Sequence, residues 1–236
     1  MNKVEVCFSP ELIHLFDLEG KIVVVVDIFR ATSTMVAALA NGVEEILPFA
    51  DLEACRLMKE QGYLIGGERN GLTAPGFEMG NSPVAYLSGE YPGRKLAMTT
   101  TNGTQAIEKS KGAFEILIGA FPSLQATVSY IQAQDNDVLI HCAGWKGHFN
   151  LEDSLYAGAL VKSLESTHES SEDGAMAMSM LFEKVGHNLK GFLSQASHAK
   201  RLQNHGIERD IDFCLTLDLY EIVVKLDERG FLVKVQ

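Results

Sequence analysis

Lys21-Ile22-Val23-Val24-Val25-Val26-Asp27 runs directly into Ile28-Phe29-Arg30-Ala31-Thr32-Ser33-Thr34. The β-branched run shows no polar alternation, which is the pattern of a strand covered by apolar layers on both faces. A carboxylate stands where that strand opens. Hydroxyl-bearing residues then begin a helix expected from about Ser33 to Asn41, with Gly42 as its C′ residue. This strand-to-helix unit is the building block of an α/β fold.

The same rhythm extends to either side. Val4–Phe8, Glu45–Phe49, Tyr63–Gly66, Lys95–Thr100, Phe114–Ile118 and Val138–Cys142 read as strands. Asp51–Gln61, Asn102–Lys109 and Pro122–Ala133 read as the helices between them. Such alternation implies right-handed crossovers and a largely parallel or mixed sheet in a layered α/β/α arrangement. A helical insert is expected from Leu151 to about Asn204, broken near Thr167–Asp173 and near Gly186. Phe213–Thr216 and Ile222–Val235 read as strand, the latter turning at Asp227-Glu228-Arg229-Gly230 into a C-terminal β-hairpin. Asn70–Pro83, rich in Gly, Pro, Asn and Thr, reads as a long loop that lines or covers a cleft. One domain spanning residues 1–236 is expected; two closely packed lobes, about 1–150 and 151–236, are the alternative.

The bulk composition narrows the function. With 236 residues, 46% of them hydrophobic, the chain can bury a substantial core. The net charge of −11 argues against nucleic acid or an anionic membrane as partner, since both require basic clusters. The four cysteines are widely spaced and form no CxxC pair, so reduced thiols in a cytoplasmic protein are expected. The N-terminal stretch lacks the features of a signal peptide, and the apolar runs are too short to span a bilayer. A homodimer is one expectation for the assembly.

Five strand ends carry residues suited to chemistry, and in open α/β sheets ligands bind beyond the carboxyl ends of strands. Asp27 is read as a Mg²⁺ ligand or general acid/base, or else as a helix cap or partner of Arg30. Arg30 with Thr32 and Ser33 is a candidate anion site; an ordinary capped turn is the alternative. Thr100-Thr101-Asn102-Gly103-Thr104 is a second, with Gly103 allowing close backbone approach and Thr101, Asn102 and Thr104 supplying donors. Glu68 is a second candidate ligand or base. Glu152 and Asp153 are candidate metal ligands, or else acids complementing a helix dipole. The fifth end is placed near Asp218. Cys142 reads as core. His187, His198 and His205 match no metal-binding spacing and are expected in packing or surface roles.

Taken together, VVVVDIFRATSTMVAAL, GERNG, GFEMGNSP, TTTNGTQAI and HCAGWKGHFNLEDSLYAGAL resemble the blocks of the ComB-type 2-phosphosulfolactate phosphatase family, in the family's order and over essentially the whole chain. The resemblance implies Mg²⁺-dependent hydrolysis of 2-phospho-3-sulfolactate to 3-sulfolactate and phosphate, a reaction that serves coenzyme M synthesis in methanogens. It implies catalytic roles for Asp27, Arg30 and Glu68. It also implies substrate contacts from Asn81, Ser82, Thr101, Asn102 and Gly103, and metal ligation by Asp27, Glu68, Glu152 and Asp153. The family loop reads GFDLGNSP, so Glu78 here is a secondary candidate. A small phosphorylated and sulfonated anion is the expected partner, and Arg69, Lys146 or Arg201 the expected cation for its second acidic group. Direct attack by water is expected, because Phe29 stands where aspartyl-phosphate phosphatases of the haloacid-dehalogenase type carry a second Asp. A phosphatase for another phosphorylated hydroxy acid and a non-catalytic binder of organic anions are the rival readings.

Overall fold

The computed structural model describes residues 1–170, 172–203 and 207–235. Its strands and helices follow in chain order as β1 (Asn2–Cys7), β2 (Ile22–Val26), α1 (Ala31–Ala40), β3 (Glu45–Phe49), α2 (Leu52–Leu57), β4 (Leu64–Arg69), β5 (Leu72–Thr73), β6 (Lys95–Thr99), α3 (Gly103–Lys109) and β7 (Glu115–Gly119). They continue with α4 (Leu124–Gln132), β8 (Val138–Cys142), α5 (Leu151–Leu164), β9 (His168–Glu169), α6 (Asp173–Val185), α7 (Leu189–Leu193), α8 (Ser197–Gln203), α9 (Glu208–Cys214), β10 (Val223–Leu226) and β11 (Leu232–Val235). The layered α/β expectation holds. His205 and the end of the helical run at Asn204 lie outside the described residues.

Among the described residues the strands form an 11-stranded sheet in the order β5-β4-β6-β3-β11-β10-β7-β2-β8-β1-β9. In β2, Ile22, Val24 and Val26 pack with Leu124, Val128 and Leu155 of α4 and α5. Val23 and Val25 pack on the opposite face with Met35, Val36 and Ile107 of α1 and α3. This two-sided burial accounts for the unbroken valine run.

The β10–β11 hairpin lies inside the sheet. β10 is antiparallel to β7, and β11 is antiparallel to β3 through Leu232 opposite Ile46. On a flat diagram the parallel blocks β7-β2-β8-β1 and β3-β6-β4 therefore point in opposite directions. The five steps from β2 to β6, at roughly 20–25° of twist each, accumulate about 100–125° and turn opposed strands toward a crossing. The carboxyl ends of the two blocks meet by this twist, not along one straight sheet rim.

Two local expectations are corrected. Phe213 belongs to helix α9, not to a strand: Ile211, Cys214 and Leu215 recur at helical spacing and are buried together. Asp218 is accordingly no strand end at the site; its carboxylate accepts from the Gln125 N–H at 2.7 Å, at the start of α4. The loop after β4 also contains structure. Asn70 (φ 56°) and Gly71 (φ 85°) form a two-residue turn into β5, where Glu68 faces Thr73 and Arg69 faces Leu72.

Leu232→Ala tests the joining of the blocks. Leu232 is fully buried, so the truncation should cost about 2–5 kcal/mol in urea unfolding; a loss below about 1 kcal/mol would show that the hairpin does not hold the blocks together.

Candidate active site

The turn after β2 is locked by its own backbone. The Asp27 N–H donates to Thr32 Oγ1 at 3.0 Å, and Thr32 Oγ1 donates back to the Asp27 carbonyl at 2.9 Å. Ser33 Oγ donates to the Ile28 carbonyl at 2.9 Å. Both hydroxyls are fully buried. Thr32 and Ser33, expected as anion donors, thus spend their hydroxyls inside the turn.

The turn after β6 is built in a similar way. The Thr100 N–H donates to Thr104 Oγ1, and the Thr104 N–H donates to Thr100 Oγ1, each at 3.1 Å. Thr104, expected as a substrate contact, thereby has its hydroxyl engaged within the turn. Thr101 Oγ1 is directed at Glu68 Oε2 (3.3 Å), and Asn102 Oδ1 accepts from the Lys146 N–H (3.1 Å). The two turns touch at Gly103, where a Cβ would stand 2.5 Å from Ala31 Cβ and 2.9 Å from Asp27 Oδ2. Gly103 therefore serves by lacking a side chain.

These contacts open a cavity of about 370 Å³ lined by Asp27, Phe29, Arg30, Glu68, Asn70, Gly71, Asn81, Thr101, Asn102, Trp145, Lys146, His198 and Arg201. Of the residues expected at the site, Asp27, Arg30, Glu68, Asn81, Thr101, Asn102 and Lys146 share this wall. Ser82 lies beside it, in an adjoining cavity of about 480 Å³ that shares Arg30, Gly71 and Asn81. Glu78 is in that second cavity too, and its carboxylate is used by the Ile65 N–H (3.2 Å) and Lys59 (3.5 Å).

Arg30 is buried and committed on both sides, to Asp210 Oδ2 at 2.6 Å and to the Gly71 carbonyl at 3.0 Å. Asp210 also accepts from Ser82 Oγ at 2.6 Å. The pair ties α9, the β4–β5 turn and the residue-82 loop to the end of β2. Glu68 accepts from the Gly71 N–H through Oε1 at 2.5 Å.

Glu152 and Asp153 are both fully buried and line neither cavity. Asp153 accepts from the Ile28 N–H (2.8 Å) through Oδ1 and from the Gly144 N–H (3.1 Å) through Oδ2. It clamps the ends of β2 and β8 together, a role in place of the expected metal ligation. Burial, with Asp27 and Glu152 nearby, holds its carboxyl well above the ordinary range. Glu152 turns to His198, with 2.5 Å between Oε1 and Nδ1. Among the described residues no three Asp, Glu, His or Cys side chains converge as a metal-binding set. Glu152 and Asp153, expected as metal ligands, thus spend carboxylate oxygens on protein partners.

A smaller oxygen set does fit a hard cation. Asp27 is almost fully buried, and burial pushes its carboxyl from the ordinary 3.8 up to about 6, although His198 and the Ala31 N–H oppose that shift. Asn81 Oδ1 is buried without a hydrogen-bond partner. Mg²⁺ typically takes one or two carboxylates and keeps several waters. Asp27, Asn81 and Glu68 match that donor chemistry.

Sequence reading passed over His198 and Trp145 as site residues and did not single out Asp210. His198 and Arg201 are three residues apart in α8, a spacing that places both on one helix face. Trp145 carries two cations over its ring, with Arg201 Cζ 4.0 Å and Lys146 Nζ 4.8 Å from its centre. Arg69 instead points to the Glu68 carbonyl and Thr99.

A family model described as 2-phosphosulpholactate phosphatase matches residues 7–229. A Thermotoga maritima protein named probable 2-phosphosulfolactate phosphatase is 42% identical over 217 residues, covering 92% of this chain and 94% of its own. One of the same name from Caldanaerobacter subterraneus is 39% identical, covering 89% of each chain. Another from Gloeobacter violaceus is 36% identical over 239 residues, covering 98% of each.

Two outcomes follow from this geometry. Gly103→Ala should destabilise the protein by about 1–3 kcal/mol through forced displacement of Ala31, and Ala31→Gly in the same chain should recover part of the loss; equal melting of wild type and Gly103→Ala would refute the contact. Asp27→Asn should change stability with a definite sign. The folded-state pKa is raised, so the penalty is absent below about pH 3.8, grows through pH 6 and is complete above pH 7. A rise of about two units corresponds to about 3 kcal/mol, so in EDTA the variant should melt above wild type at pH 8 and close to it at pH 4. A lower melting point at pH 8 would overturn this account.

Proposed function

The chain belongs to the 2-phosphosulfolactate phosphatase family, and from that premise we propose that it hydrolyses 2-phospho-3-sulfolactate to 3-sulfolactate and phosphate. The observation carrying the proposal is that Asp27, Arg30, Glu68, Thr101 and Asn102, from distant parts of the chain, line one cavity together with Lys146 and Arg201. Acidic and cationic groups side by side suit a substrate that carries a phosphate, a sulfonate and a carboxylate. A simple anion binder would gain nothing from Asp27 and Glu68.

Asp27 and Glu68, with Asn81, are the residues proposed to hold Mg²⁺. When bound, that ion neutralises charge on the phosphoryl oxygens and makes a coordinated water easier to deprotonate. Arg30, engaged by Asp210 and the Gly71 carbonyl, lines the cavity and adds positive charge there, and Thr101 and Asn102 add polar groups around the phosphoryl position. Such positioning and charge neutralisation are what phosphoryl transfer mainly requires. Lys146 and Arg201, both held against the Trp145 ring at the cavity wall, are the cations proposed for the sulfonate and carboxylate. Direct attack by water is retained as the chemical course. Among the described residues no helix is long and apolar enough to cross a membrane. Four buried, unpaired cysteines support a cytoplasmic setting.

The test is phosphate release from phosphosulfolactate and from phospholactate, each with Mg²⁺ and with EDTA. Turnover should require the metal, and the substrate lacking the sulfonate should react at least about tenfold more slowly, the cost of losing roughly 1.4 kcal/mol of charged contact. Equal rates would move the assignment to a broader hydroxy-acid phosphatase, and undiminished turnover in EDTA would remove Mg²⁺ from the proposal.

A further inference from the structure

Glu152 sits in the first turn of α5 with no exposed surface. A bare carboxylate in such a place is costly unless it is paired. Its Oε1 has one partner, Nδ1 of His198 at 2.5 Å, which arrives from α8 46 residues away; Oε2 has none. The His198 ring is also held edge-on to Phe29, with centroids 6.1 Å apart. Two contacts therefore fix the imidazole at the wall of the cavity. With Nδ1 engaged by the carboxylate, Nε2 is left free for other chemistry, and among the described residues no hydrogen bond reaches it. A packing histidine in this protein looks different. His141 is fully buried, bonded to Ser110 and away from the cavity, and burial lowers its pKa to about 4.

We propose that His198 is the general acid for the leaving group and that Glu152 is its positioning residue, fixing the ring and its tautomer. The inference rests on the phosphomonoesterase reading. Glu152 is not among the residues proposed to hold Mg²⁺. In the reaction the ester P–O bond breaks and its electron pair leaves on the substrate oxygen, a secondary alkoxide that departs poorly unless protonated. His198 acts as the imidazolium: its Nδ1–H stays with Glu152 while the Nε2–H proton goes to that oxygen and gives the alcohol, leaving the neutral Nδ1–H ring. The water oxygen forms the new P–O bond, and the proton this water releases returns through solvent to the imidazole. Ester and water thus become alcohol and hydrogen phosphate with atoms and charge balanced. A carboxylate orienting an imidazole for proton transfer is an arrangement used on unrelated folds.

Leaving-group dependence separates this role from a packing role. In Mg²⁺ buffer, His198→Ala should lower kcat on phosphosulfolactate by about 10²–10⁴-fold, the usual contribution of a positioned acid. On 4-nitrophenyl phosphate, whose leaving group needs no proton, the loss should stay below about tenfold. Added imidazole should restore part of the first rate and none of the second. Glu152→Gln should reproduce the same selectivity in weaker form. His198→Gln, which keeps a donor toward Glu152, replaces the alanine variant if that chain does not fold. Equal losses on both esters without imidazole rescue would overturn the proposal. If wild type cleaves aryl phosphates but not phosphosulfolactate, the substrate assignment fails alone, and the dyad is judged on phenyl against 4-nitrophenyl phosphate. If wild type cleaves no phosphate ester, both readings fall.

Discussion

The site exists because two strand-to-helix turns, one from each parallel block, rest directly on one another. Gly103 is the point of contact. It packs against Ala31 and the Asp27 carboxylate at distances that leave no room for a β-carbon. Sheet twist brings the turns near, the inserted β10–β11 pair sets how much twist accumulates, and the missing side chain permits the final approach. Asp153 plays the matching part within one block, where its two oxygens hold the ends of β2 and β8 in register beside the cavity.

Much of this was legible in the chain. The unbroken Val23–Val26 run announces a strand buried on two sides, and Asp51 caps α2 through the Ala54 N–H as its residue type suggests. Family-like blocks also marked the segments that meet at the cavity. What escaped was the choice of partners. Nothing local tells that Asp153 will accept from backbone groups at Ile28 and Gly144, because those groups come together only when β2 and β8 pair. For the same reason His198 looked ordinary: its meaning depends on a glutamate in another helix. Phe213 was misassigned because a short apolar run has no decisive period, and the buried face of α9 emerges only over Ile211–Leu215. The Asn70-Gly71 pair was a readable turn signal that the surrounding loop composition obscured.

Charge placement follows from burial. Arg30 and Asp210 form a nearly inaccessible pair, and such pairs resist the removal of one partner more than they add stability as a pair. Here the pair connects three segments around the cavity, so its worth lies in fixing geometry. Asp27 differs: it is almost as buried, yet among the described residues no cationic side chain is within hydrogen-bonding reach of it. Its ionised form is therefore disfavoured by burial, the condition that a positive charge beside it would relieve.

The indole that carries Arg201 and Lys146 over its ring belongs to the chain's single tryptophan. Indole emission depends on the charges around the ring, and here both neighbouring cations face the space a multiply charged anion would enter. A charged ligand entering beside those cations would change the field on this one indole, so the unmodified protein would carry its own optical reporter, undiluted by any second tryptophan.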